Sequence, residues 1–147
     1  MIAVDSNILV YAQRMEMPEY AEADRCLTEL AEGLAPWGIP WPCVHEFIGV
    51  ITNRRIWPQP TPLSDALRQM DYLLQSPNVV LLTEGPNHWK ILQEVLTDSR
   101  VTGPRVHDAR IAALCLQHGV TTLWSADRDF SRFGRLKVVN PLVRKAR

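Results

Sequence analysis

Three carboxylates fall within the short stretch from His107 to Phe130, HDARIAALCLQHGVTTLWSADRDF, and their positions suggest a common task. Asp108 stands at the start of a helical pattern. Ile111, Ala112 and Cys115 follow it at i+3, i+4 and i+7, so the acid shares the face those apolar residues bury. Gly119 closes that helix, Val120 to Trp124 reads as a short apolar strand, and Asp127 and Asp129 come just past the strand's C-terminal end. A further acid, Asp5, directly follows the apolar run Ile2 to Val4. In a parallel sheet with right-handed crossovers, strand C-termini and helix N-termini share one edge, so Asp5, Asp108, Asp127 and Asp129 should converge there. Taken singly, each has a bland reading: a helix-terminal acid facing the macrodipole for Asp108, turn residues for Asp127 and Asp129. Gathered, they repel one another unless some are protonated or a cation binds among them. Oxygen-only ligation with a partial cage and waters suits Mg²⁺ or Mn²⁺ better than Ca²⁺. Such an ion activates water and stabilises a leaving oxygen, which makes phosphodiester hydrolysis the expected chemistry.

The elements that must hold these groups follow from apolar periodicity. Residues 2–4, 79–82, 121–124 and 136–139 are short, nearly all-apolar runs of the kind found in buried parallel strands, with room for one more brief strand around Ile39 to Trp41. Helical spacing appears between them. Ser6 or Asn7 can cap a helix through Ile8, Leu9 and Tyr11. Tyr20 to Glu32 is ended by Gly33, and Val44 to Asn53 contains Glu46. Pro62 starts a helix carrying Leu63, Leu67, Met70 and Leu74, and Pro86 to about Asp98 carries Trp89, Leu92 and Leu96 on one face. WPQPTP, from Trp57 to Pro62, is too proline-dense for helix or central strand and reads as an exposed connection. The alternation predicts an α/β fold, a three-layer sandwich with a short central parallel sheet covered by helices on both faces, in a single domain over 1–147.

The formal net charge is zero, but it hides a polarity. Residues 1–99 hold 6 Lys/Arg against 13 Asp/Glu, a balance of −7, whereas residues 100–147 hold 10 against 3, a balance of +7. Arg128, Arg132, Arg135, Lys137, Arg144, Lys145 and Arg147 follow the acidic stretch and would suit a polyanion arriving at acidic chemistry. With no apolar run near the length of a membrane span and no leader pattern at Met1, the expected location is the cytoplasm, without membrane contact. Cys26, Cys43 and Cys115 are widely spaced and are expected to be reduced, buried thiols.

The chain resembles the PIN-domain nucleases, and most closely the VapC-type toxins of bacterial toxin–antitoxin systems. The resemblance spans nearly the whole chain. It is carried by Val4-Asp5-Ser6-Asn7, by Glu46, by His107-Asp108-Ala109 through Ala112-Ala113, and by Ser125-Ala126-Asp127-Arg128-Asp129-Phe130. Ser125 stands where the family usually shows Thr, and its hydroxyl preserves the hydrogen-bonding capacity. The resemblance implies a metal-dependent endoribonuclease with Asp5, Glu46, Asp108 and Asp127 as its acidic residues. Asp5 and Asp108 would be the metal ligands, Glu46 and Asp127 would complete the pocket through water or act as general base, and Asn7 and Ser125 would support them. It also implies a homodimer, an RNA substrate and a VapB-type antitoxin covering the groove. Asp127 is preferred to Asp129 as the fourth acid because it lies closer to the strand end, Asp129 turning to solvent or pairing with an Arg.

Other features carry less. His45, His88, His107 and His118 show no zinc spacing, and no Gly-rich phosphate loop or Ser-His-Asp elbow is present. Trp89 and Trp124 read as core, and Trp37, Trp41 and Trp57 as candidates for a dimer or antitoxin surface. A receiver-like phosphoacceptor domain would need an acidic neighbour beside Asp5, which is absent. A PIN nuclease of RNA processing or repair would share every catalytic residue with a toxin.

Overall fold

The computed structural model describes residues 1–143 and contains a five-stranded, all-parallel sheet in the order β3-β2-β1-β4-β5. The strands are β1 Ile2–Val4, β2 Trp37–Pro40, β3 Val79–Leu82, β4 Thr122–Trp124 and β5 Lys137–Val139. The helices are α1 Ser6–Tyr11, α2 Tyr20–Glu32, α3 Trp41–Ile51, α4 Leu63–Leu74, α5 His88–Ser99 and α6 Val106–Gln117. Among the described residues no helix is long and apolar enough to cross a membrane. Arg144, Lys145 and Arg147 of the basic run lie outside the described residues.

The strand order places the site. From β1 the chain winds outward through β2 to β3, then returns to the other side of β1 for β4 and β5. The order therefore reverses between β1 and β4, and in open α/β sheets a crevice opens outside the strand C-termini at that reversal. Val4 is in register with Trp124, and the Asp5 N–H donates to the Trp124 carbonyl at 2.9 Å, so the residues following both strands emerge side by side. Helices cover the sheet, α1 packing on α2 and α3, α3 on α4, and α5 on α6. The core consists of Ala3, Val4, Ile8, Ile39, Phe47, Leu114 and Leu123 with their neighbours.

Several boundaries differ from the sequence expectation. The second strand begins earlier, at Trp37, and all four of its residues are buried. Trp41 belongs to α3 instead, because Pro42 lacks the N–H a strand ladder needs and suits the first turn of a helix. Asp5, rather than Ser6 or Asn7, is the N-cap of α1, its carboxylate accepting the Ser6 N–H. Gly119 follows α6 with φ +69°, the left-handed conformation that glycine adopts without Cβ strain.

The tryptophans redistribute as well. Trp37, expected at a surface, is fully buried, with Nε1 donating to Ser76 Oγ at 3.2 Å. Trp89, expected in the core, is 64% exposed. The face that α5 turns inward runs through Ile91, Leu92, Val95 and Leu96, and Trp89 lies beyond its end. Trp57 is half-buried under the Arg14 guanidinium, 4.1 Å from its ring centroid, and Trp41 is open to solvent. All three cysteines are free and buried.

Candidate active site

Asp5 is the buried centre of the site, 3% exposed. Its Oδ1 accepts the Ser6 N–H at 2.8 Å, the Ser6 hydroxyl at 3.4 Å and the Cys43 thiol at 3.5 Å. Its Oδ2 accepts the Ser125 hydroxyl at 2.7 Å and the Asn7 amide at 3.1 Å. Five donors therefore fix one carboxylate, and they come from the start of α1, from α3 and from the residue just past β4. Burial pushes the Asp5 carboxyl above its ordinary range despite these bonds, with the Asp108 charge adding to the rise.

Asn7 and Ser125 lash the two strand ends together. Asn7 Nδ2 also donates to Ser125 Oγ at 3.1 Å, and its Oδ1 accepts the Ala126 N–H at 3.1 Å. Ser125, 2% exposed, accepts the Asp127 N–H at 3.0 Å. The short turn after β4 is thus tied to Asp5 directly at Ser125, and through Asn7 and Ser125 at Ala126 and Asp127.

Asp108, in the first turn of α6, is half-buried. Its carboxyl is raised, first by desolvation and then by the charges of Asp127 and Glu46. Glu46 is exposed as a residue, yet its carboxyl is raised too, by desolvation and by Asp5 and Asp127, while a Ser6 side-chain hydrogen bond and His107 draw it back. The four acids thus share one field, from four different elements.

Asp127 and Asp129 part ways. Asp127 caps the 3₁₀ turn Arg128–Arg132, its Oδ1 accepting the Asp129 N–H at 2.8 Å. Asp129 instead pairs with Arg105 at 2.7 Å on the rim. The basic residues also divide. Arg128 lines a groove of about 450 Å³ with Ser125, Asp127, Ser131 and Asn140. Arg132 and Arg135 face a separate cleft against α5, where Arg135 meets Glu94 at 3.2 Å, and Lys137 opens β5 at the opposite sheet edge.

The sequence reading missed three participants. Ser6, expected only as a helix cap, and Cys43, expected only as a buried thiol, both bond Asp5, and Arg105 pairs with Asp129. Only Ser6 carried a local signal, its adjacency to Asp5. As for a metal, no group of three or more His, Cys, Asp or Glu among the described residues is arranged to hold a metal ion. The donor set is all oxygen and mutually repulsive, and Mg²⁺ is commonly held by only one or two carboxylates with waters and substrate phosphate, so the residues fit a hard divalent cation.

The PIN domain family model matches residues 2–136. Over 142 residues the chain is 39% identical to the VapC ribonuclease Mb2897 of Mycobacterium bovis, covering 97% of this chain and 96% of that protein. Its fold is similar to a chain of the VapBC2 complex from Rickettsia felis bound to a promoter DNA fragment, with a TM-score of 0.66, 19% identity and 95% and 98% of the two chains covered. It is also similar to VapC20 of Mycobacterium tuberculosis, described as a sarcin-ricin loop cleaving toxin, with a TM-score of 0.63, 15% identity and coverages of 93% and 99%.

Proposed function

This chain belongs to the PIN-domain family, in the branch of the VapC ribonucleases, and from that premise we propose that it is a Mg²⁺-dependent endoribonuclease and the toxin of a type II toxin–antitoxin system. The observation that carries the reading is the gathering of Asp5, Glu46, Asp108 and Asp127 at the topological switch point, three of them with carboxyls raised partly by one another.

Asp5 and Asp108 are the residues that would hold the ion, Asp5 with its orientation set by Ser125 and Asn7. When bound, Mg²⁺, or Mn²⁺ in its place, supplies the positive charge that offsets the acids and the Lewis acidity that activates water and the scissile phosphodiester. Glu46 sits at the exposed side of the cluster with a raised carboxyl, which suits a general base taking the proton of the attacking water. Asp127 orients that water from the other wall, and Asp129 holds Arg105 at the rim. The VapBC2 complex supports a VapB-type antitoxin as partner, and we assign the chain the homodimeric assembly that its VapC resemblance implies.

The test is induction in a bacterial host, followed by sequencing of RNA 5′ ends and compared with Asp5→Ala. Growth arrest with new 5′ ends, absent from Asp5→Ala and relieved by co-expressing the neighbouring upstream gene, is expected. New 5′ ends without arrest would indicate a processing nuclease, and no Asp5-dependent ends would overturn the reading.

A further inference from the structure

Beside the acids, α3 and α6 enclose a groove of which the proposed reaction uses Glu46 alone. Trp41, 36% exposed, and His45, also exposed, lie one turn apart on α3 with ring centroids 6.1 Å apart and planes tilted by 37°. Residues at i and i+4 share a helix face, so the pair forms one aromatic surface. His45 and Glu46, with Pro42, make one wall of a groove of about 350 Å³, and His107, Arg110 and Ile111 of α6 make the other. Arg110 is held from outside: its Nε donates to Glu84 Oε1 at 2.6 Å, and a second N–H pairs with the same carboxylate. A guanidinium has five donors, so the remaining N–H groups of this oriented fork are free to meet an anion.

An exposed aromatic pair and an oriented planar cation, separated by a groove and sharing Glu46 with the acidic cluster, match the parts of one nucleotide. We propose that this groove binds a nucleotide flanking the scissile bond of a single-stranded RNA, with Trp41 and His45 stacking on the base and Arg110 holding the phosphate. The inference rests on the nuclease reading and adds a subsite to it. A single strand is required because a base paired and stacked within a duplex cannot offer its face to Trp41.

The test is binding of a fluorescein-labelled single-stranded RNA of roughly 12 nucleotides, within the span of a single-strand site, to the full chain in EDTA across a salt series. Trp41→Ala should weaken binding roughly 5- to 100-fold with the salt dependence unchanged, because stacking involves no counterion release. Trp41→Phe should retain most of the affinity. Arg110→Gln should weaken binding and lower the log–log salt slope by about 1. His45→Ala, at an exposed position, provides a second stacking variant should Trp41→Ala unfold, and it should bind several-fold more weakly. Wild-type affinity in Trp41→Ala or His45→Ala, alongside Mg²⁺-dependent cleavage by the wild type, would overturn the subsite and leave the nuclease reading standing. Equal binding of a duplex of the same sequence, or weakened binding of a protein partner with RNA affinity intact, would also overturn it. A wild type that neither binds nor cleaves single-stranded RNA would overturn both.

Discussion

The Ser125 hydroxyl donates to Asp5 Oδ2 at 2.7 Å, joining two residues 120 positions apart. The same oxygen accepts from Asn7 and from the Asp127 N–H, so one buried hydroxyl sets the orientation of Asp5 and the start of the turn that carries Asp127. Ser125→Ala should therefore lower Mg²⁺-dependent cleavage about 10- to 100-fold through weaker metal affinity. It should also cost about 1–3 kcal/mol by leaving buried polar partners unsatisfied. Ser125→Thr should retain both. Mg²⁺ titration of activity and chemical denaturation check this, and an unaltered metal dependence in Ser125→Ala would show that the hydroxyl does not support Asp5.

The raised carboxyl of Asp108 gives stability a pH signature. An acid whose folded pKa lies above its ordinary value, 3.8 for Asp, stabilises the fold below that value, and the contribution is lost as pH rises through the folded pKa. In metal-free protein, Asp108→Asn removes this loss. Its melting temperature should match the wild type's below pH 3.8 and exceed it above, the gap widening until the pH passes the folded pKa, while cleavage is abolished. A gap that shrinks with rising pH would contradict a carboxyl raised by desolvation and by the charges of Asp127 and Glu46.

Asp127 and Asp129 should separate by mutation. Asp127→Asn removes a charge felt by both Asp108 and Glu46, and steady-state kinetics should show a loss of at least about 100-fold in kcat, within the range for a positioned acid or base. Asp129→Asn breaks a partly exposed pair with Arg105 and should leave kcat within a few-fold and stability nearly unchanged. The reverse ranking would make Asp129 the fourth acid.

The tryptophans offer a stability test. Trp37→Ala should cost about 3–5 kcal/mol in denaturant unfolding, as truncation of a buried ring does, and should also remove the indole bond to Ser76. Trp89→Ala should fall within about 0.5 kcal/mol of the wild type, as exposed substitutions do.

The thiols should be silent. Burial raises all three, Cys115 to about 12, and the nearby Asp5 charge raises Cys43 further. A thiol-specific reagent at pH 8 should label none of them in native protein and all three in denaturant. Rapid native labelling of Cys43 would show that the Asp5 pocket opens.

By itself the sequence determined the fold class, the edge of the sheet at which the acids gather, and the reduced state of the cysteines. These follow from local rules: apolar runs of strand length, helical spacing around Asp108, and the handedness of crossovers that brings strand ends and helix starts together. The tertiary structure decided whatever depends on which side chains meet across elements. Trp37 entered the core and Trp89 left it because strand pairing and the docking of α5 on α6, rather than periodicity alone, fix which face is covered. Cys43 came to bond Asp5 because α3 lies against α1, and Asp129 turned to Arg105 because Asp127 caps the turn between them. The acidity of each carboxyl is likewise a property of the assembled site, since desolvation and neighbouring charge arise only when residues distant in sequence are brought together.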